Sequence, residues 1–235
     1  RQAVAIIHDR KMTSPTPDSL RHDWVVPDEE AMEIQRRLAS LVSRTSALPE
    51  TPSLIAGVDV SGADEQGFAT AAATLLRFPG FEVEEVAQAS AVLEFRYKRS
   101  LLSFREVPLI LAALERLSTT PDLVLVDGHG IAHPRRFGLA SHTGLLTGLP
   151  TIGCAKSLLL GGHGPLGNRK GAQSALQADS EVIGTALRSK DSTRPIYVSI
   201  GHKVDLESAV EWVLACCVSY RLPEPLRTAH QAARR

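Results

Sequence analysis

Cysteine is scarce in this chain: three in 235 residues, two of them adjacent at Cys216 and Cys217. That number and spacing exclude a disulfide framework and match no zinc-ligand pattern, so a reducing cytoplasm is the expected setting. Net charge is missing too. Lys+Arg and Asp+Glu both number 26, so any surface for a polyanion must be a local patch rather than a bulk property. No apolar run reaches the roughly 18 residues that span a bilayer, and no membrane partner is expected. The start, RQAVAIIHDRK, has a short apolar patch but not the full core and cleavage pattern of a secretory signal. There is no internal repeat. What is present is an ordinary globular composition, 43% hydrophobic and 22% charged, in a chain long enough to bury a substantial core as one large domain or two small ones.

Residues 1–27 mix prolines, histidines and charges with little periodicity, and they are expected to form a poorly ordered or loosely docked arm. The domain proper then runs over 28–235. Asp28 to Leu48 has helical spacing, with Asp28 as its expected cap and Pro49 and Pro52 beyond its end. Strands are expected over 54–60, 69–78 and 81–93, the last two joined at Pro79-Gly80. A helix follows over 101–117 with Ser103 as cap. Next come a buried strand at 123–127, a short helix at 138–147 and a strand at 151–155. A glycine-rich loop leads to strands over 181–188 and 195–200, then to a helix over 205–218 capped by Asp205. The tail, YRLPEPLRTAHQAARR, reads as proline-broken and basic. Meander strands followed by alternating strands and helices predict an α/β fold, a mixed sheet flanked by helices.

The chemistry concentrates in PDLVLVDGHGIAHPRRF, residues 121–137. An apolar strand ends in Asp127, and a Gly-His-Gly turn opens at once. Such an acid is expensive for stability alone, and the glycines allow another molecule close to the backbone. His133, Arg135 and Arg136 add a cationic rim suited to phosphate. Asp59, in IAGVDVSG, ends the first strand, where a turn cap would also account for it. Glu106, in LLSFREVP, lies in a first helical turn, where acids are common for dipole reasons. If the first strand pairs with the one after the helix, Asp59 and Asp127 become neighbours and Glu106 can reach the same edge. Three converging carboxylates suit Mg²⁺ or Mn²⁺, which can activate water for displacement at phosphorus. Lys156 follows another strand at that edge and could touch the scissile phosphate. His142 is a candidate substrate contact or a loop histidine without a role, and His202, in SIGHKVD, could complete the metal site or contact substrate. Arg96, Tyr97, Lys98, Arg99 and Arg105 interleave an aromatic with cations, either a solvated hairpin edge or a surface for phosphates and a base.

These blocks resemble the endonuclease V family of deoxyinosine 3′-endonucleases. The resemblance is carried by IAGVDVSG, LLSFREVP, PDLVLVDGHGIAHPRRFGLASHTGLL, PTIGCAKSLL, SIGHKVDLESA and YRLPEP, in that order. It implies a single-domain ribonuclease H-like fold, and Mg²⁺-dependent hydrolysis of the second phosphodiester bond 3′ to a deaminated purine. It implies metal carboxylates at Asp59, Glu106 and Asp127, and Lys156 beside the reacting phosphate. It implies a base pocket on the backbone of Gly128 and Gly130, with His133 nearby. The expected partner is DNA containing deoxyinosine, with inosine-containing RNA as a second substrate, bound by a monomer. One departure stands out. Family members often carry a Pro-Tyr-Ile-Pro wedge, and this chain has Arg96-Tyr97-Lys98-Arg99. That change predicts a more flexible, electrostatic tip that favours single-stranded or mismatched substrate. The rival readings are the related nuclease domain of nucleotide-excision repair, an inosine-specific endoribonuclease, a non-catalytic reader of inosine-containing nucleic acid, and a small-molecule metallohydrolase.

Overall fold

A computed structural model describes residues 18–234. Its centre is a nine-stranded sheet in the order β3-β2-β1-β4-β5-β9-β8-β7-β6. The strands are β1 (Leu54–Val60), β2 (Phe68–Arg77), β3 (Glu82–Val92), β4 (Leu123–Val126), β5 (Thr151–Ala155), β6 (Gly162–His163), β7 (Gln173–Ala178), β8 (Glu181–Leu187) and β9 (Ile196–His202). β1, β4 and β5 run parallel, and the other pairings are antiparallel. The helices are α1 (Asp28–Ala39), α2 (Leu102–Leu114), α3 (Leu139–Thr147), α4 (Leu206–Cys216) and α5 (Glu224–Ala232). This is the mixed sheet with flanking helices that the sequence predicts, in one domain.

Side chains of a strand alternate between faces, and the central strands use both. Ile55, Leu123, Leu125 and Ile152 join one core with Ala209, Val210 and Val213 of α4 and Leu226 of α5. Ala56, Val58, Val124 and Val126 join a second core with Val107, Ile110 and Ala113 of α2 and Leu139 and Ala140 of α3. Burying the parallel strands on both faces explains why they read as unbroken apolar runs. The alternation also sets where β1 sends its acid: Asp59 shares parity with Ile55 and Gly57, on the side that α5 covers.

Several local expectations change. α1 starts with Pro27 as the capping residue and Asp28 inside the first turn, and it ends at Ala39 rather than near Leu48. α2 is entered through a short 3-10 turn, Arg99–Leu101, so Ser103 is not its cap. Asp205 does cap α4, accepting from the Ser208 amide at 2.8 Å. The glycine-rich loop contains β6 and β7, and the tail contains α5. Pro223 and Pro225 stand at the start of α5, where a missing N–H costs nothing; read as helix breakers, they hid a helix.

Of the arm expected over residues 1–27, residues 1–17 lie outside the described residues. Leu20, Trp24 and Val26 pack against a third core around Leu38, Phe104 and Phe137. His22 lies 4.5 Å from the Trp24 ring centroid and meets His142 at 2.9 Å, Nε2 to Nε2.

Candidate active site

β1 and β4 pair in parallel with Val58 opposite Val126. The next residue of each is an acid, so Asp59 and Asp127 stand side by side where the strands end. The Asp127 amide donates to the Val58 carbonyl at 3.2 Å and holds the turn in place. α2 brings Glu106 to the same edge from the other face, close enough that both aspartates act on it electrostatically. Burial is the main reason its carboxyl is pushed up to about 8, with Asp59 and then Asp127 adding to the shift. Asp127 is also raised, first by burial and then by Asp59, while Lys156 opposes the change. Lys156 follows the last residue of β5, and its ammonium meets Asp127 Oδ2.

Sequence reasoning missed a fifth member of this group. His230, on α5, donates from Nδ1 to Asp59 Oδ2 at 2.6 Å. Asp59, Asp127 and His230 each offer an atom within 4.8 Å of the others. Gly57 makes this possible: a side chain there would meet the Pro225 carbonyl oxygen at 2.0 Å. Without a Cβ on β1, α5 can lie against the strand and carry His230 to its end. The signal was present as a histidine at the end of a proline-started amphipathic segment.

The donor set fits a hard divalent cation. Carboxylate oxygens predominate, with one imidazole, a combination that suits Mg²⁺ or Mn²⁺. Negative groups forced together in a buried cleft raise one another's pKa values, and a cation relieves that repulsion.

The remaining predicted residues divide. Tyr97 stands out from the edge with 70% of its surface exposed. Its neighbours are tethered: Arg96 and Lys98 both pair with Asp28 of α1, the latter at 2.5 Å, and Arg99 donates to the Leu158 carbonyl. Arg105 donates to the Phe95 carbonyl at 2.6 Å. The tip is thus tied down by ion pairs and hydrogen bonds.

The expected cationic rim turns inward instead. His133 donates from Nε2 to the Ser100 carbonyl at 2.9 Å and accepts the Arg135 amide at 3.2 Å. Burial drives its pKa down to about 3. Arg135 donates to the same Ser100 carbonyl at 2.8 Å and to Gln35 Oε1 at 2.6 Å. Arg136 pairs with Glu181 at 2.6 Å. His133 and Arg135 therefore brace the entry to α2, and through it Glu106.

Gly130 has a structural reason for lacking a side chain, since a Cβ would stand 1.9 Å from the Ile200 carbonyl oxygen. Gly128 is tight against Leu139, where a Cβ would meet the side chain at 3.0 Å. Their loop folds down onto the sheet.

Two histidines fall away from the site. His142 is wholly buried among His22, Trp24, Phe104 and Phe137. His202 pairs with Thr151, the first residue of β5, so it sits at the opposite end of that strand from Lys156. There its Nδ1 accepts the Ser43 amide at 3.1 Å, and it is not part of the acidic cluster.

Comparison with known proteins places this arrangement. The endonuclease V family model matches residues 36–231. The chain is 49% identical to an endonuclease V of Gloeobacter violaceus over 219 residues, covering 91% of this chain and 89% of that one. It is similar to the crystal structure of endonuclease V from Streptomyces avermitilis, with TM-score 0.83 and 41% identity, covering 90% of this chain and 93% of that one. It is also similar to Ciona intestinalis endonuclease V in complex with a 24mer DNA containing an inosine followed by a ribo-adenosine. That match has TM-score 0.77 and 27% identity and covers 88% of this chain and 95% of the other.

Proposed function

The chain belongs to the endonuclease V family, and from that premise we propose that it is a metal-dependent nuclease that cuts DNA at deoxyinosine. It hydrolyses the second phosphodiester bond 3′ to the lesion and leaves a 3′-hydroxyl and a 5′-phosphate. The observation that carries this reading is the meeting of Asp59 and Asp127 at the ends of adjacent parallel strands, with Glu106 and His230 converging from opposite faces of the sheet. A reader of nucleic acid gains nothing from acids massed opposite phosphate; a cation site does.

Asp59, Glu106, Asp127 and His230 hold the ion, Mg²⁺ by preference with Mn²⁺ able to substitute. When bound, it supplies an acidified water and charge neutralisation at phosphorus. The side chains do the rest. Lys156, 37% exposed and in contact with Asp127, faces the cleft and neutralises charge that develops on the phosphate. His230 fixes the orientation of the Asp59 carboxylate through the 2.6 Å hydrogen bond. Burial and the two aspartates push the Glu106 carboxyl up to about 8, so a bound cation would favour its ionised form at neutral pH. Tyr97, held outward between tethered cations, contacts the displaced bases. The Gly128–Gly130 loop offers backbone to the flipped purine, and His133 with Arg135 fixes the α2 entry beside it.

The direct test is incubation with end-labelled DNA carrying one deoxyinosine, with and without Mg²⁺, beside a matched RNA containing inosine. The expected result is a Mg²⁺-dependent nick one nucleotide beyond the lesion's 3′ neighbour. Cutting confined to RNA would move the assignment to an endoribonuclease, and binding without cutting in either metal would make the protein a reader.

A further inference from the structure

Several arginines meet carboxylates: Arg36 with Glu33, Arg44 and Arg136 with Glu181, Arg77 with Glu84, Arg227 with Glu224. Others meet backbone carbonyls, among them Arg37, Arg105 and Arg116. At one edge such cations are gathered together. Lys156 follows β5, and Ala155 pairs with Tyr197 at the start of β9. Ile196 pairs with Leu187 at the end of β8, and Leu187 pairs with Gln173 at the start of β7. The segments before β7, between β8 and β9, and after α4 therefore all emerge at the edge that carries Lys156.

These segments are cationic and interlocked. Arg221 donates to the carbonyls of Lys156 at 2.9 Å, Pro195 at 2.8 Å and Arg194 at 2.8 Å. Lys190 donates to the Ser219 carbonyl at 2.9 Å, and Lys170 to that of Cys217. Arg188 donates to the carbonyls of Gly167, at 3.0 Å, and Thr193. A carbonyl orients a cation without cancelling its charge. These segments carry one acid, Asp191, 3.6 Å from Arg169 and bonded to the Lys170 amide at 2.6 Å, and Lys156 itself meets Asp127. Asp179 and Glu181 lie at the opposite end of the β7–β8 hairpin, about 20 Å away at roughly 3.3 Å per residue. A chain with no net charge thus gathers cations at this edge beside the Lys156–Asp127 pair: Arg221, Lys190, Lys170 and Arg188 held by backbone carbonyls, with Arg194 and the Asp191-paired Arg169 among them.

We propose that Arg221, Arg194, Arg188, Lys190, Lys170 and Arg169 form a track for the sugar-phosphate backbone of single-stranded DNA, continuous with the scissile position at Lys156. The proposal rests on the nuclease reading of that edge and adds where the strand runs after leaving it. Cations carried on loops and oriented by backbone carbonyls fit a flexible strand whose successive phosphates each meet a cation.

The test uses fluorescein-labelled thymidine oligonucleotide without a lesion, in MgCl₂, with binding followed by anisotropy across a NaCl series. The track variant is Lys170→Gln/Lys190→Gln/Arg194→Gln, all at exposed positions. The control is Arg36→Gln/Arg44→Gln/Arg77→Gln, which removes the same number of charges from carboxylate-paired sites. The slope of log K against log salt should fall by about 2 in the track variant, at roughly 0.7 per lost phosphate contact on a single strand, and should stay unchanged in the control. Equal slopes for wild type and track variant, an equal fall in the control, or no binding by wild type at low salt would each overturn the track. If wild type binds steeply but never nicks deoxyinosine, the track stands and the proposed function fails.

Discussion

β4 has an aspartate just outside each end, and the two lead opposite lives. Asp122 accepts from the Ser53 amide at 2.8 Å and the Leu54 amide at 3.0 Å, and so secures the start of the neighbouring strand. Asp127 is buried, has its pKa raised by that burial and by Asp59, and meets a lysine rather than a backbone amide. One carboxylate spends its charge on the fold; the other keeps it available for a cation at a cost to the fold. Position along four apolar residues decides which, because the parallel strands gather their C-terminal ends beside α2 and α5.

The largest effect should come from exchanging the fates of these two residues. Asp127→Asn is expected to lower the rate of Mg²⁺-dependent nicking on the order of a thousandfold or more, since a bound ion lowers the barrier by several kcal/mol. Asp122→Ala should leave the rate nearly unchanged but lower unfolding free energy by about 1–3 kcal/mol through two orphaned amides. Single-turnover cleavage and urea melts separate the two.

Next in size is His230→Ala. Loss of the group that orients Asp59 should weaken divalent metal affinity about 10–100-fold while thermal stability changes little, as read by metal titration and by melting of the metal-free protein. A cleavage rate that recovers at high Mn²⁺ would sharpen the assignment; unchanged metal affinity would break it.

A third prediction concerns pH. In metal-free protein the Glu106 carboxyl is raised from its usual 4.5 to about 8, so the folded state holds its proton more tightly than the unfolded chain. That contribution is fully present below about pH 4.5 and is lost as pH rises toward 8. The histidines act in the opposite sense. Burial lowers His129 and His202 to about 4 and His133 to about 3, so stability falls as pH drops below 6.5 toward those values. Melting of the metal-free protein should therefore decline on both the acid and alkaline sides, and Glu106→Gln should reduce the alkaline decline, to which the raised Asp127 also contributes, while leaving the acid decline in place. A variant that keeps the full alkaline decline would contradict the burial of Glu106 beside two acids.

The smallest effect is expected at the tip. Asp28→Asn releases Arg96 and Lys98, and trypsin should then cut within residues 96–99 faster than in wild type. Salt should reduce the difference by weakening the wild-type pairs.

Much of this was legible beforehand. The apolar runs ending in Asp59 and Asp127 located the strand ends, and the helix between them made the parallel pairing and the reach of Glu106 predictable. What escaped notice depended on close approach between distant segments. Nothing in IAGVDVSG announces that Gly57 is bare to admit α5, and prolines at the head of that helix disguised it. His202 follows a strand just as Lys156 does, yet β9 runs antiparallel to β5, and strand direction is a tertiary fact. The arginines of residues 121–137 look like a phosphate rim in one dimension; in three, Gln35, Ser100 and Glu181 claim them.

The central claim is that the acids gathered at the ends of β1 and β4 form one cation site. Calorimetric titration of Mn²⁺ at pH 7, in buffers of different ionisation enthalpy, tests it directly on wild type, Asp127→Asn and Asp122→Ala. The account predicts binding with proton release from Glu106 in wild type and Asp122→Ala, and loss of binding in Asp127→Asn. Mn²⁺ binding by Asp127→Asn with wild-type affinity and proton release would contradict it.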